Sequence, residues 1–282
     1  MILKYIDSDG KAYNLLDARF RLRNGNFHKM IWKFVALTKQ YGVQIEKFEK
    51  DPISLDLEFV VKGNVDKRKS VLNQLHASME KDKLNNLPGR ILWGDEYLEG
   101  YFIESNTYPE KDHTTINDTV FLAPYPFWIT EQHIQIGAIS EVDAMSETTG
   151  TKTYPYTYPY RYSLLQTETT YDIDHYTDSH FKMIVYGPTT GVQVNIAGHP
   201  YSVAYSLEDG EYMVIDSRPY VDKEKRLYVV RANGDTENIF DYRSAEHRVF
   251  QKIPPGRVKI DYSRTYGIDL TIFKERSEPL WK

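Results

Sequence analysis

Residues 53–61 read Ile-Ser-Leu-Asp-Leu-Glu-Phe-Val-Val, with Ile53, Leu55, Leu57 and Phe59 apolar and Ser54, Asp56 and Glu58 polar. A period of two marks a strand with one buried face. Gly63-Asn64 breaks it, and the period changes over 67–86. There Val71, Leu72, Leu75 and Met79 fall on one stripe of an amphipathic helix. Asn64 or Asp66 is placed to cap its N-terminus, and Pro88-Gly89 closes it. Residues 90–93 and 97–105 then read as strands joined at Gly94-Asp95-Glu96, and after a turn over 106–112 another strand follows at 113–123. One helix on a meander of strands predicts a mainly β, α+β unit.

Outward from this stretch, Asp9-Gly10 predicts a hairpin between strands at 3–6 and 13–16. Residues 27–41, with Ile31, Trp32, Phe34 and Val35, fit strand or helix; strand segments with a connecting loop are the reading adopted. Pro124-Tyr125-Pro126-Phe127-Trp128 ends regular pairing, because proline cannot donate to a ladder. The first domain is therefore expected to span 1–128. Residues 129–180 form a polar connection, with 146–153 its most linker-like part. From 181 onward come short strands at 181–186, 192–196, 201–205, 212–215, 227–231, 236–240, 257–262 and 268–273, with a short helical turn at 242–248. Turn signals separate the strands, Asn233-Gly234 being the strongest. Strands so closely spaced predict an antiparallel β-sandwich over 181–282, whose start could lie as early as 154.

Composition excludes several classes of function. The 282 residues contain no cysteine, which removes disulfides, cysteine-ligated zinc and thiol nucleophiles. Neither a signal-peptide core nor a membrane-spanning run is present, so synthesis in the cytoplasm and a soluble chain with no membrane insertion are expected. Net charge is −5, with 18 basic against 19 acidic residues before His133 and 17 against 21 from there on. Phosphate-backbone binding needs a basic excess, so no nucleic-acid partner is expected. The 23 tyrosines favour strands and large contact surfaces.

Chemistry-bearing motifs are sparse. The sequence has no phosphate-cradling glycine loop, no H-E-x-x-H and no G-x-S-x-G. Asp7-Ser-Asp9-Gly10 matches half of a calcium loop, but Ala18 stands where the twelfth-position glutamate belongs, so a hairpin turn explains it better. Asp172, Asp174, Asp178 and His180 share a side in an extended chain and weigh weakly for a divalent metal against a solvated connection. The carboxylate pairs Asp95/Glu96 and Glu208/Asp209 sit in turns, and no acid–base pair across a cleft is nominated. Catalytic, cofactor and metal residues are thus expected to be none. Tyr154, Tyr156, Tyr158, Tyr160 and Tyr162 share one face of an extended segment. Packing against a sheet is favoured for them over a platform for sugar rings.

Three phrases together resemble the distal tail proteins of long-tailed bacteriophages, the siphophage tail component family. They are the strand–helix–strand over 53–105; Phe121-Leu-Ala-Pro-Tyr-Pro-Phe-Trp128; and the C-terminal set Val194–Gly198, Gly210–Tyr212, Ile215–Ser217 and Phe250–Gly256. The resemblance implies an N-terminal ring-forming domain, usually six-fold, at the end of the tail tube. It implies a C-terminal sandwich of galectin-like or carbohydrate-module-like topology facing outward. It further implies a structural baseplate protein of the virion, not an enzyme, whose partners are copies of itself, the tail tube protein, a tail-tip protein and receptor-binding proteins. A galectin-type His-x-Asn-x-Arg constellation is absent, since His199 is followed by Pro200-Tyr201-Ser202-Val203. The alternative is a carbohydrate-binding module for bacterial cell-wall glycans, built on the tyrosine row.

Overall fold

The computed structural model describes residues 2–18, 20–110, 113–137 and 170–281. The chain forms two compact units, Met1–Thr130 together with Glu275–Lys282, and Glu131–Lys274.

In the first unit the strands are β1 (Leu3–Ile6), β2 (Ala12–Asn14), β3 (Phe20–Gly25), β4 (Lys33–Thr38), β5 (Val43–Glu49), β6 (Ile53–Lys62), β7 (Gly89–Trp93), β8 (Glu96–Glu110), β9 (Thr114–Ala123) and the start of β10 (Trp128–Ile136); one helix, α1, spans Val65–Leu84. All pairings are antiparallel, running β3–β6–β9–β8–β7–β1–β2. The expected alternation along β6 is present, with Leu55, Leu57 and Phe59 buried and Asp56 exposed. β8 joins two halves of this unit. Its first residues pair with β7 and its later ones with β9, and Gly100 stands at the change of partner. A Cβ there would lie 2.2 Å from the Leu122 carbonyl oxygen, so only glycine lets the backbones approach.

The helix matches its sequence pattern. Asn64 caps it by accepting from the Lys67 N–H at 3.0 Å. Leu72, Leu75 and Met79 enter a core shared with Phe59, Phe102 and Phe121. On the same face Asp82 accepts from the Tyr5 hydroxyl and, at 2.9 Å, from the Ser8 N–H. Ser78 donates to Asp7 at 2.6 Å, while Asp7 also accepts from the Lys11 N–H at 2.8 Å. The Asp7 carboxylate thus holds the turn of the β1–β2 hairpin and ties it to α1, with Gly10 at φ 85°. Replacing Asn64 with alanine should cost about 1 kcal/mol by denaturant titration, and Asn64→Asp should recover most of it.

In the second unit the later part of β10 is followed by β11 (Thr170–Ile173), β12 (His180–Tyr186), β13 (Val192–Ile196), β14 (His199–Val203), β15 (Tyr212–Asp216), β16 (Leu227–Val230), β17 (Thr236–Asn238), β18 (Gly256–Asp261) and β19 (Ile268–Arg276). One sheet runs β17–β16–β15–β12–β19–β10 and another β11–β18–β13–β14. Phe181, Met183, Val194, Tyr201, Ile215 and Leu270 belong to the single core between them. This is the antiparallel sandwich that the closely spaced strands predict.

Four features differ from the sequence reading. The turn expected over 106–112 is strand, because β8 continues to Glu110 opposite Thr114. Pro109 is tolerated there because that half of β8 pairs with β9 on one side only. Residues 128–136 are strand rather than irregular connection, and their polar run Thr130–His133 hides the buried Ile134 and Ile136. The helical turn expected at 242–248 is a single 3-10 turn at Phe240–Tyr242. Finally, residues 275–282 group with the first unit.

Candidate assembly surface

β4 and β5 form a two-stranded sheet that no other strand among the described residues joins. Their register opposes Phe34 to Phe48, Ala36 to Ile45 and Thr38 to Val43, with a shift between Val35 and Ala36. Opposed residues share a face, so Phe34, Ala36, Val43, Ile45 and Phe48 form one apolar surface. The other face carries Lys33, Val35, Leu37, Gln44, Lys47 and Glu49. On the apolar side Phe34 is 57% exposed, Phe48 59%, Val43 59% and Ile45 47%. Met30, Ile31 and Trp32 at its base are exposed as well. A lone hairpin is marginally stable in water. Contiguous exposed apolar side chains mark an interaction site. This arm therefore has the form of a surface that is completed by another molecule.

The arm is rooted on the turn between β9 and β10. The Lys50 Nζ donates to the Pro126 carbonyl at 2.8 Å and lies 4.5 Å from the Phe127 ring centroid. Trp32 meets Phe127 edge to face at 6.4 Å. Burial lowers the Lys50 amine to about 8.

Two further surfaces of the first unit are built from polar groups. The sheet face away from α1 carries a shallow cleft lined by Asn24, Asp56, Glu58, Glu104, Asn106 and Asp118. Arg23 pairs with Glu58 at 3.1 Å, and the Tyr108 hydroxyl donates to Asp118 at 3.0 Å. The returning tail docks elsewhere. Leu280 N–H donates to the buried Glu96 carboxylate at 2.8 Å, and the Trp93 indole donates to the Leu280 carbonyl at 3.2 Å. The Trp281 ring stacks on His28 at 3.7 Å.

The residues singled out from sequence fall as follows. Tyr154, Tyr156, Tyr158, Tyr160 and Tyr162 lie outside the described residues. Asp172, Asp174 and Asp178 are exposed, whereas His180 is buried in β12 with its Nδ1 3.3 Å from the Ser217 hydroxyl. Burial, aided by Lys252, holds that imidazole down to about 4, so it is neutral near neutral pH. Among the described residues no group of three or more His, Asp or Glu side chains could hold a metal ion. His199 bonds to the Arg248 carbonyl at 3.0 Å. The outward positions of β13, β14 and β18 (Gln193, Asn195, Pro200, Ser202, Arg257, Lys259 and Asp261) hold no aromatic ring. No helix among the described residues is long and apolar enough to cross a membrane. The strand segments expected over 27–41 contain β4, whereas β5 is not among the expected strands, although the alternation at Val43 and Ile45 marks it.

No family model and no curated protein matches the chain in sequence. Solved structures do match it in fold. The Dit hub protein of phage SPP1, from the adsorption apparatus of phages that infect Gram-positive bacteria, is 10% identical with a TM-score of 0.60; the alignment covers 98% of this chain and all of that one. A chain of the phage P2 baseplate in its activated conformation with calcium is 13% identical with a TM-score of 0.62, over 99% and 100% of the two chains. The corresponding strontium structure gives 0.61 at the same identity and coverage. The fold is therefore that of phage hub and baseplate proteins, as the sequence resemblance implies.

Proposed function

We propose that this chain is a structural hub protein at the distal end of a bacteriophage tail. In this reading its first unit assembles head to tail into a closed ring, six-fold by the family pattern, that joins the tail tube to the tip. The second unit faces outward, toward tail-tip and receptor-binding proteins. The protein is made in the host cytoplasm, is carried in the virion tail, and needs no catalytic group or cofactor. The observation that carries the reading is the arm, an apolar hairpin face left uncovered by the described residues. The fold likeness to hub and baseplate proteins supports it. A closed rotation lets every copy both offer an arm and receive one, leaving no apolar face uncovered. No described geometry favours the glycan-binding alternative.

Native mass measurement with negative-stain imaging tests the proposal. The expected result is a closed ring with a central channel that forms with concentration or on addition of the tail tube protein. A monodisperse monomer under all of these conditions would overturn it.

A further inference from the structure

Both strands of the arm leave the body at one point. Trp32 immediately precedes β4 and Lys50 immediately follows β5. The Lys50 amine sits between them and the 124–127 turn. It donates to the Pro126 carbonyl at 2.8 Å and lies over Phe127 at 4.5 Å and Trp32 at 5.3 Å. The charged groups nearby are engaged elsewhere. Lys33 pairs with Asp51, Glu49 pairs with Lys47 at 2.6 Å, and Tyr125 on the turn donates to Glu275 at 2.8 Å. Among the described residues no carboxylate pairs with Lys50, and burial alone perturbs it. A half-buried ammonium held only by a carbonyl and two rings is an unusual anchor for an element that carries an interface.

We propose that Lys50 is the positioning residue of the arm: its protonation sets how firmly the hairpin root is held on the 124–127 turn, and so how rigidly the arm is presented to a second copy. This rests on the assembly reading above. A charged amine gains by moving into water. A neutral one keeps its hydrogen bond to the carbonyl and its contact with both rings without the cost of burying charge. The folded-state value, about 8, lies below the ordinary 10.5. The stabilisation is therefore complete above the ordinary value and is lost as pH falls through about 8. The root tightens with rising pH and loosens toward neutrality.

The absence of cysteine makes this measurable, because two spin labels can be placed at Gln40→Cys on the arm tip and Lys69→Cys on α1. Distance distributions are recorded on dilute protein from about pH 6.5 to about pH 11, bracketing the window between the folded and ordinary values. The expected result is a distribution that narrows as pH rises, with a midpoint between about 8 and the ordinary 10.5. Lys50→Met, which has no titrating group, should show no pH dependence, and Lys50→Arg, which does not deprotonate, should be broad throughout. A flat profile in the otherwise unaltered labelled chain, or a pH-dependent profile that persists in Lys50→Met, would overturn the proposal. Sedimentation in the same buffers separates it from the assembly reading. A titrating arm on a chain that never assembles supports the Lys50 role and removes the hub reading. A ring whose arm does not titrate removes the Lys50 role and leaves the hub reading standing.

Discussion

The double variant Phe34→Asp/Phe48→Asp is expected to remain a folded monomer under conditions in which the unaltered chain assembles. Both side chains stand on the uncovered arm face and are directly opposed across the β4–β5 ladder. Removing them takes nothing from the chain's own core, so thermal unfolding should be close to unchanged. In an assembly each ring would leave water and contribute roughly 1.5–3 kcal/mol. Loss of two such anchors weakens association by about 3–6 kcal/mol, or on the order of 10²–10⁴-fold. Buried carboxylates without partners would add to the loss. Gln44→Asp, on the opposite face, is the matched control and should assemble normally. Analytical ultracentrifugation decides the matter; assembly of the double variant at an unchanged threshold would show that the apolar face is not the contact.

The second large effect concerns the stability of the second unit. Asp216, at the end of β15, receives the Arg218 guanidinium at 2.7 Å and 3.0 Å and the Arg218 backbone N–H at 3.0 Å. Both side chains are largely buried, and the guanidinium lies 4.3 Å over the Phe273 ring. Burial disfavours the charged guanidinium, but the Asp216 carboxylate outweighs it and holds Arg218 protonated. Asp216→Ala strands that cation. Breaking a buried pair from one side costs about 3–5 kcal/mol. For a unit of this size that lowers its melting temperature by roughly 6–20 °C. Removing both charges with Asp216→Ala/Arg218→Met should recover much of the loss, because an apolar replacement leaves no charge uncompensated. Calorimetry of the three proteins gives the answer, and a loss below about 1 kcal/mol for Asp216→Ala would refute the account.

Where an element's periodicity is set by a core in the same chain, the sequence exposes it. The alternation of β6, the stripe Leu72–Leu75–Met79 and the Asn64 cap were all legible for that reason. So was the hairpin at Asn233-Gly234, where Gly234 adopts φ 89°. Of the arm, only strand segments over 27–41 were legible and β5 was not, because its apolar residues pack on no core among the described residues and the register shift after Val35 breaks its alternation. The far half of β8 was hidden by Asn106, Pro109 and Asp112, residue types that ordinarily signal a turn. The docking of the tail was beyond local pattern altogether, since Leu280 finds Glu96 across 184 positions of sequence. The segment weighed as an alternative sugar platform and the arm are different segments. The tyrosine row drew notice by composition, whereas the arm is distinguished by burial, which composition does not report.

The grouping of Glu275–Lys282 with Met1–Thr130 makes the second unit an insertion rather than an appendage. On the ribosome this imposes a wait. At about 5–20 residues per second, synthesis of Glu131–Lys274 separates the two parts of the first unit by roughly 7–30 s. Throughout that interval Trp93, Glu96 and His28 still lack the tail that covers them, and the inserted unit is completed first, at its end. The piece of the protein that emerges first is thus finished last. Any contact that needs residues 275–282 in place on the first unit is thereby deferred until they have been made.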